Sequence, residues 1–197
     1  VLIGAEGGWF RYGPGAGRLV AVGNAATDGV IRMHDLPGGG VLIQTERGWL
    51  RYDAAAARVV AAGDPATGRV IAMHDLPSGG VLIGAEWGLF RYDPGVGRLV
   101  AAGGAAMGRV IAMRGLPGGG VLIQAERGLF RYDPGVGRLV KADDAVTGYV
   151  RTMGDLPGGG VLIAAVGGLF RYDPGVGRLI AAGGVATGLV IEMRGLP

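Results

Sequence analysis

The two histidines of the chain carry the clearest metal-binding chemistry. His34 and His74 are each followed by an aspartate, and two imidazoles with two carboxylates form a ligand set that a transition metal accepts. The two histidines lie 40 residues apart, and the other three positions at this spacing carry Arg114, Gly154 and Arg194. Because most of these equivalent positions lack an imidazole, we predict no metal site and no cofactor.

Groups that could catalyse a reaction are scarce. Ser78 is the only serine and lies in a Pro-Ser-Gly-Gly turn, and cysteine is absent, so neither a serine triad nor a thiol nucleophile is indicated. A carboxylate pair for glycoside hydrolysis could be drawn from four acidic residues, which are Asp28, Asp64, Asp144 and Glu192. Their spacing selects no pair. We therefore predict that the protein is not an enzyme.

The elements that hold these residues repeat along the whole chain. Each copy begins with Val-Leu-Ile, and Arg-Tyr follows 10 residues after the valine. A constant period of this length is typical of solenoids and propellers, whose units bury their apolar faces against their neighbours. We predict one domain, 1-197, made of the repeats 1-40, 41-80, 81-120, 121-160 and 161-197.

Each repeat is predicted to form four short β-strands. In the third copy they are apolar runs bounded by Gly, Pro or Asp, at 81–86, 88–92, 98–102 and 109–114. Pairing the first two strands across a two-residue turn places apolar residues on both faces, which suits a blade packed between two others. We predict an all-β, five-bladed β-propeller of 40-residue, four-stranded blades. A β-helix is the alternative.

The phase of the repeat predicts how the blades close. The chain starts on the first strand of a repeat and ends after 189–194, which matches the strand that precedes Val-Leu-Ile elsewhere. We expect this C-terminal strand to join the N-terminal blade, because closure leaves no unpaired sheet edge. Near-identical repeats exchange strands at little cost, so we expect mainly monomer with a minority of strand-swapped multimers.

The conserved core of the repeat resembles a known family. Residues 119–134 read Gly-Gly-Val-Leu-Ile-Gln-Ala-Glu-Arg-Gly-Leu-Phe-Arg-Tyr-Asp-Pro, and every copy carries a version of this segment. It is similar to the repeat of the two-component regulator propellers, the sensor-side repeats of bacterial hybrid histidine kinases. The resemblance implies that the strand equivalent to 110–114 lies innermost, and it suggests a sensor domain for a small molecule. Leu42 and Ala85 depart from the family, which has Trp and Thr there.

Two loops vary between copies, whereas the other two are nearly constant. Alternate loops of a four-stranded meander emerge on the same side, so both variable loops are expected on one rim, where recognition residues tend to lie on a rigid scaffold. The candidate binding residues on this rim are Arg47, Trp87, Arg127, Asp64, Asp144, Arg69, Arg109 and Tyr149. The alternative is that the loop sequences drifted apart between copies without selection for a ligand.

Two further sets of acidic residues recur with the repeat. Glu46 and its equivalents are predicted to be solvated or to form cross-strand salt bridges, and an acidic ring or pairing with Arg11 and its equivalents is the alternative. Asp53, Asp93 and their equivalents precede Pro-Gly or alanines, and we predict that they initiate turns and do not bind calcium.

The charge and hydropathy of the chain limit the classes of partner that we expect it to bind. The net charge of +3 is small and the arginines are spread over all copies, which argues against nucleic acid. No apolar run is long enough to span a bilayer, so we predict no membrane insertion. We predict a non-enzymatic scaffold or binding propeller for a small molecule or protein, including a highly repetitive or engineered chain with no evolved ligand. The alternatives are the sensor domain and an enzyme acting on a small or sugar-like substrate at the mouth of the channel.

Overall fold

A computed structural model describes residues 1–5, 8–13, 17–23, 29–63, 66–103, 107–142, 150–157, 160–166 and 168–182. In these residues the secondary structure is nineteen short β-strands, with no α-helix. The described residues accordingly contain no helix that is long and apolar enough to cross a membrane.

Consecutive strands form five sheets. The first sheet has β1 (Leu2–Ala5), β2 (Gly8–Gly13) and β3 (Arg18–Gly23). The second has β4 (Val30–Asp35), β5 (Val41–Thr45), β6 (Gly48–Asp53) and β7 (Arg58–Gly63). The third has β8 (Val70–Asp75), β9 (Val81–Ala85), β10 (Gly88–Asp93) and β11 (Arg98–Gly103). The fourth has β12 (Val110–Gly115), β13 (Val121–Ala125), β14 (Gly128–Asp133) and β15 (Arg138–Lys141). The fifth has β16 (Val150–Asp155), β17 (Val161–Ala165), β18 (Gly168–Asp173) and β19 (Arg178–Ala181).

These sheets confirm the predicted blade. Each four-stranded sheet takes its first strand from the end of one repeat and its other three from the start of the next, as the phase of the repeat indicates. The strand expected at 189–194 lies outside the described residues. The closure of the ring therefore stays a prediction.

Local turn chemistry explains where the strands end. The Asp93 carboxylate accepts a hydrogen bond of 2.9 Å from the Gly95 backbone N–H, and Gly97 N–H donates to the Asp93 carbonyl at 2.8 Å. The bond from Gly95 lowers the pKa of the Asp93 carboxyl, and the Arg91 guanidinium lowers it further. The same turn forms at Asp53, Asp133 and Asp173. The prediction of turn-initiating aspartates is confirmed.

A β-bulge interrupts the first strand of at least three sheets. In the fourth sheet Val110 lies opposite Ala125 and Ala112 opposite Gln124, so Ile111 is the extra residue. The corresponding breaks at β4 and β16 make Ile31 and Arg151 the extra residues. A bulge bends its strand and re-aims the neighbouring side chains.

The described chain forms two compact units. Unit 1 comprises Val1–Ala66, Gly79–Val81 and Arg91–Val100, and unit 2 comprises Thr67–Ser78, Leu82–Phe90 and Ala101–Pro197. The core of unit 1 is built around Trp9, Val22, Ile43 and Tyr52. Unit 2 has two apolar clusters, one around Ile123 and Tyr132 and one around Ile163 and Tyr172. The single domain 1-197 stays a prediction.

Candidate functional site

Unit 2 contains a cavity of about 450 Å³. Its walls come from β8, β12 and β16, together with Gln124 of β13. The lining residues are Ile71, Ala72, Ile111, Ala112, Met113, Arg114, Gln124, Arg151, Thr152 and Met153. Volumes of about 300–1,000 Å³ are usual for small-molecule sites, so the cavity is large enough for a ligand.

The position of the three strands explains this lining. β8, β12 and β16 each lie at one edge of their own sheet. Successive side chains of a strand point to opposite faces of its sheet, and at the edge of a sheet both faces border the space beside the strand, so residues next to one another in sequence can line the cavity. The bulges at Ile111 and Arg151 add to this effect because they turn these positions relative to the regular pleat.

Two hydrogen bonds connect neighbouring sheets at the cavity wall. Gln124 is only 3% exposed, and its Nε2 donates to the backbone carbonyl of Val150. Arg114 Nη2 donates to the backbone carbonyl of Met153 at 3.3 Å. Both bonds end on β16, so they fix this strand against β12 and β13. The polar groups of the cavity are therefore held on a hydrogen-bonded framework.

The cavity is positively charged. Arg114 and Arg151 are exposed to solvent at the cavity, and the described lining residues include no carboxylate. Other arginines do have carboxylate partners: Arg51 pairs with Asp53, and Arg109 Nε lies 3.4 Å from Glu126 Oε1. A guanidinium presents several N–H donors in a planar fork that matches a carboxylate or phosphate. The cavity can therefore bind an anionic group.

The described lining also lacks the groups that acid–base or nucleophilic catalysis requires. No carboxylate, imidazole or thiol is among these residues, and Thr152 is the only hydroxyl. Thr152 has no base beside it among the described lining residues. The chemistry available at these walls is binding by arginine, amide and hydroxyl groups against apolar surfaces.

His74 lies on β8, one of the three strands that line the cavity, but it is not one of the lining residues. It is half-buried on β8, and burial lowers its pKa below the usual range of an imidazole, while the nearby Asp75 opposes this shift. A side chain added at Gly115 would collide with the His74 ring, at 2.6 Å from its Cε1. No group of three or more His, Cys, Asp or Glu side chains that could hold a metal occurs in the part of the chain that the structure describes.

The structure brings some of the predicted rim residues together. Trp87 N–H donates to the Thr67 carbonyl at 3.2 Å, and Arg69 N–H donates to Glu86 Oε2 at 3.3 Å. The segment that enters β8 therefore lies against the turn between β9 and β10. The Trp87 side chain is 62% exposed, beside the backbone of Gly68.

The next repeat forms the same arrangement. Arg127 N–H donates to the Met107 carbonyl at 3.2 Å, and the Arg109 and Glu126 side chains form the ion pair described above. Glu126 thus forms a cross-strand salt bridge with Arg109, which agrees with the solvated or cross-strand ion pairs predicted for these glutamates.

The other predicted rim residues are not among these contacts. Arg47 belongs to unit 1, where its backbone N–H donates to Thr45 Oγ1 at 3.3 Å. Asp64, Asp144 and Tyr149 are outside the described residues.

Sequence reasoning missed the cavity because it compared the loops of the copies and not the first strands of the sheets. A signal was present at one position of these strands. Arg151 stands where the other four copies have an apolar residue, which is Ile31, Ile71, Ile111 or Ile191.

Comparison with known proteins yields structural relatives alone. No protein-family model and no curated protein sequence matches the chain. The extracellular domain of the putative one component system BT4673 from B. thetaiotaomicron superposes with a TM-score of 0.51 at 17% identity, over 95% of this chain and 27% of that one. The extracellular domain of the putative hybrid two component system BT3049 from the same organism gives 0.50 at 15% identity, over 95% and 27%.

These relatives and the five sheets decide the fold class. The fold is a repeated-blade β-propeller. The chain spans about a quarter of the length of the two bacterial proteins, at 27% of each. The resemblance of its repeat to the two-component regulator propellers agrees with this likeness at the level of fold.

Proposed function

We propose that this propeller is a non-enzymatic binding module whose ligand site is the cavity of unit 2. The observation that carries the proposal is the composition of the cavity wall. Apolar side chains from three edge strands surround a few polar groups, among them Gln124, Arg114 and Arg151. This combination is usual in small-molecule sites, where apolar surface supplies affinity and a few placed polar groups fix orientation.

Binding is favoured over turnover by the residues that line the cavity. An enzyme acting on a sugar-like substrate needs a pair of carboxylates or an activated nucleophile close to the substrate. The described lining residues offer neither. A role in sensing, as in the two-component systems whose extracellular domains share this fold, is compatible with a binding cavity, and we propose it as the biological use of that binding.

The methionines provide a direct test of where a ligand binds. Met113 and Met153 line the cavity, whereas Met107 is buried in an apolar cluster of unit 2 and does not line it. We expect ligands found in a small-molecule screen to shift the ¹³C-methyl NMR signals of Met113 and Met153 and to leave that of Met107 in place. Single Met→Leu variants assign the signals.

Two results of this screen would contradict the proposal. One is a ligand that binds the folded protein without moving either cavity methionine. The other is turnover of a bound compound, which would restore the enzyme alternative. A matched reference is available in Met33, which belongs to unit 1 and is absent from the cavity wall.

A protein-binding rim is a second candidate, favoured by the exposure of Trp87. Large aromatic side chains are unusual at 62% exposure on a monomer, and Trp beside Arg is a frequent anchor in protein interfaces. We propose that the segments around Trp87 and Arg69 and around Arg109 and Arg127 contribute to this rim. Asp64, Asp144, Tyr149 and Arg47 remain proposed members.

The Trp87→Gly variant tests the rim. Gly7 and Gly167 stand at the equivalent positions, so the repeat accepts glycine there. We expect the free energy of unfolding to change by less than about 0.5 kcal/mol, because an exposed side chain makes few packing contacts. Truncating the buried Trp49 to alanine should instead cost about 3 kcal/mol or more. A loss of several kcal/mol from Trp87→Gly, measured by urea unfolding, would show that Trp87 is a core residue and would remove it from the rim.

A further inference from the structure

We infer that the cavity of unit 2 takes a small carboxylate whose body is apolar, with Arg114 and Arg151 as the groups that receive the carboxylate. This inference rests on the proposed function, since it names the chemical class of the ligand at the same site. Three features of the wall lead to it: its charge, its apolar surface and the identity of residue 151.

The positive charge of the cavity wall favours an anionic ligand. Two guanidinium groups share one cavity, and among the described lining residues no carboxylate neutralises them. The hydrogen bond from Arg114 Nη2 to the Met153 carbonyl uses one of the five N–H donors of this guanidinium. A ligand carboxylate can accept two parallel hydrogen bonds from such a fork, which makes the interaction both stronger and more directional than that with a neutral acceptor.

The rest of the cavity wall favours a ligand whose body is apolar. Six of the ten lining residues are Ile, Ala or Met, and they come from all three strands β8, β12 and β16. A volume of about 450 Å³ holds roughly 15 water molecules at the density of the liquid. Displacing that water from isoleucine and methionine side chains favours a ligand with several methylene or methyl groups.

The identity of residue 151 separates a ligand-binding role from a scaffold role. Four of the five copies carry isoleucine at this position, so the blade folds with an apolar residue there. Arg151 therefore departs from what the scaffold requires, and it does so at a β-bulge on the cavity wall. A residue that breaks the pattern of its repeat, although the fold does not require the change, is typical of a functional position.

Octanoate and its amide are the probes that test this inference. They share the same alkyl chain and differ in charge, so the difference between them reports the arginines. We expect octanoate to shift the Met113 and Met153 methyl signals. We also expect it to bind at least about tenfold more tightly than octanamide, because hydrogen bonds between charged groups contribute more free energy than neutral ones.

Three variants test which positive charge the carboxylate contacts. Arg151→Ile restores the residue of the other copies, and it should weaken octanoate binding about tenfold while changing octanamide binding by no more than about twofold. Arg138→Ile is the matched control, because it makes the same exchange of side chain at an exposed residue of unit 2 that lies outside the cavity wall. It should change neither affinity by more than about twofold. Arg151→Lys keeps the charge and should retain part of the preference for octanoate.

The outcomes separate this inference from the proposed function. Equal binding of octanoate and octanamide, with the Met113 and Met153 signals shifted by both, would overturn the carboxylate inference and leave the cavity as a binding site. Octanoate binding that moves neither methionine signal, or that is weakened equally by Arg151→Ile and Arg138→Ile, would overturn the inference as non-specific attraction to positive charge. Failure of every screened compound to reach the cavity methionines would overturn the proposed function as well.

Discussion

Replacing Gly40 by alanine is expected to destabilise the protein by about 3 kcal/mol or more. Gly40 has φ +98°, a conformation that L-residues rarely adopt. An added Cβ would also overlap the backbone carbonyl oxygen of Tyr52. This oxygen cannot move away easily, because Tyr52 lies opposite Val41 in the pairing of β5 with β6. The free energy of unfolding in urea measures the effect.

Gly38→Ala is the control within the same turn. No atom lies within 4 Å of the position that its Cβ would take, and Gly38 is not among the residues with positive φ. We expect Gly38→Ala to leave stability within about 0.5 kcal/mol of the original protein, or to raise it slightly by restricting the unfolded chain. Equal losses for the two variants would mean that the Gly-Gly-Gly turn does not hold its backbone as described.

Truncation of the repeated core isoleucine is expected to have the second large effect. Ile43 in unit 1 and Ile123 in unit 2 occupy equivalent positions, and both side chains are completely buried. Alanine at either position removes buried methyl and methylene groups and leaves a cavity, which typically costs about 2–5 kcal/mol. Val136→Ala, on a side chain that is 73% exposed, should cost less than about 0.5 kcal/mol.

The same pair of variants tests the predicted single domain. If 1-197 unfolds as one cooperative domain, Ile43→Ala and Ile123→Ala each shift one common transition. Calorimetry and urea unfolding followed by tyrosine and tryptophan fluorescence measure the transitions. Two separate transitions, each moved by only one of the variants, would contradict the single domain and would assign separate stabilities to the two units.

Most of the strand pattern could be predicted because it depends on local chemistry. The apolar run at 81–86 forms a strand at Val81–Ala85, and the run at 109–114 forms one at Val110–Gly115. Turn residues end these strands for reasons that lie within a few residues, such as the hydrogen bond from Gly95 to the Asp93 carboxylate. The assignment of the last strand of one repeat to the next sheet also followed from the phase of the repeat.

The rim was less completely predicted. The contact of the Trp87 turn with the Thr67 segment follows from the alternation of loops in a meander, and it is present. The prediction of cross-strand salt bridges did not name Arg109 as the partner of Glu126, because that choice depends on how the segment that enters β12 crosses the hairpin of β13 and β14 in the same sheet. Proximity of that kind joins residues that are 17 positions apart, and no local pattern specifies it.

The sequence by itself determined the blade: its period, its four strands, its turns and the phase with which the strands are shared between repeats. Each of these depends on residue types within about one repeat, where steric preference and alternation of apolar residues suffice. The tertiary structure alone decided the cavity. β8, β12 and β16 are separated by 40 residues each, and a common space arises only because they lie at sheet edges within one unit, with a bulge that turns Arg151 toward a wall shared with Arg114 and Gln124. Such a site is a property of packing between repeats, so its residues become recognisable in the sequence only when the first strands of the sheets are compared position by position.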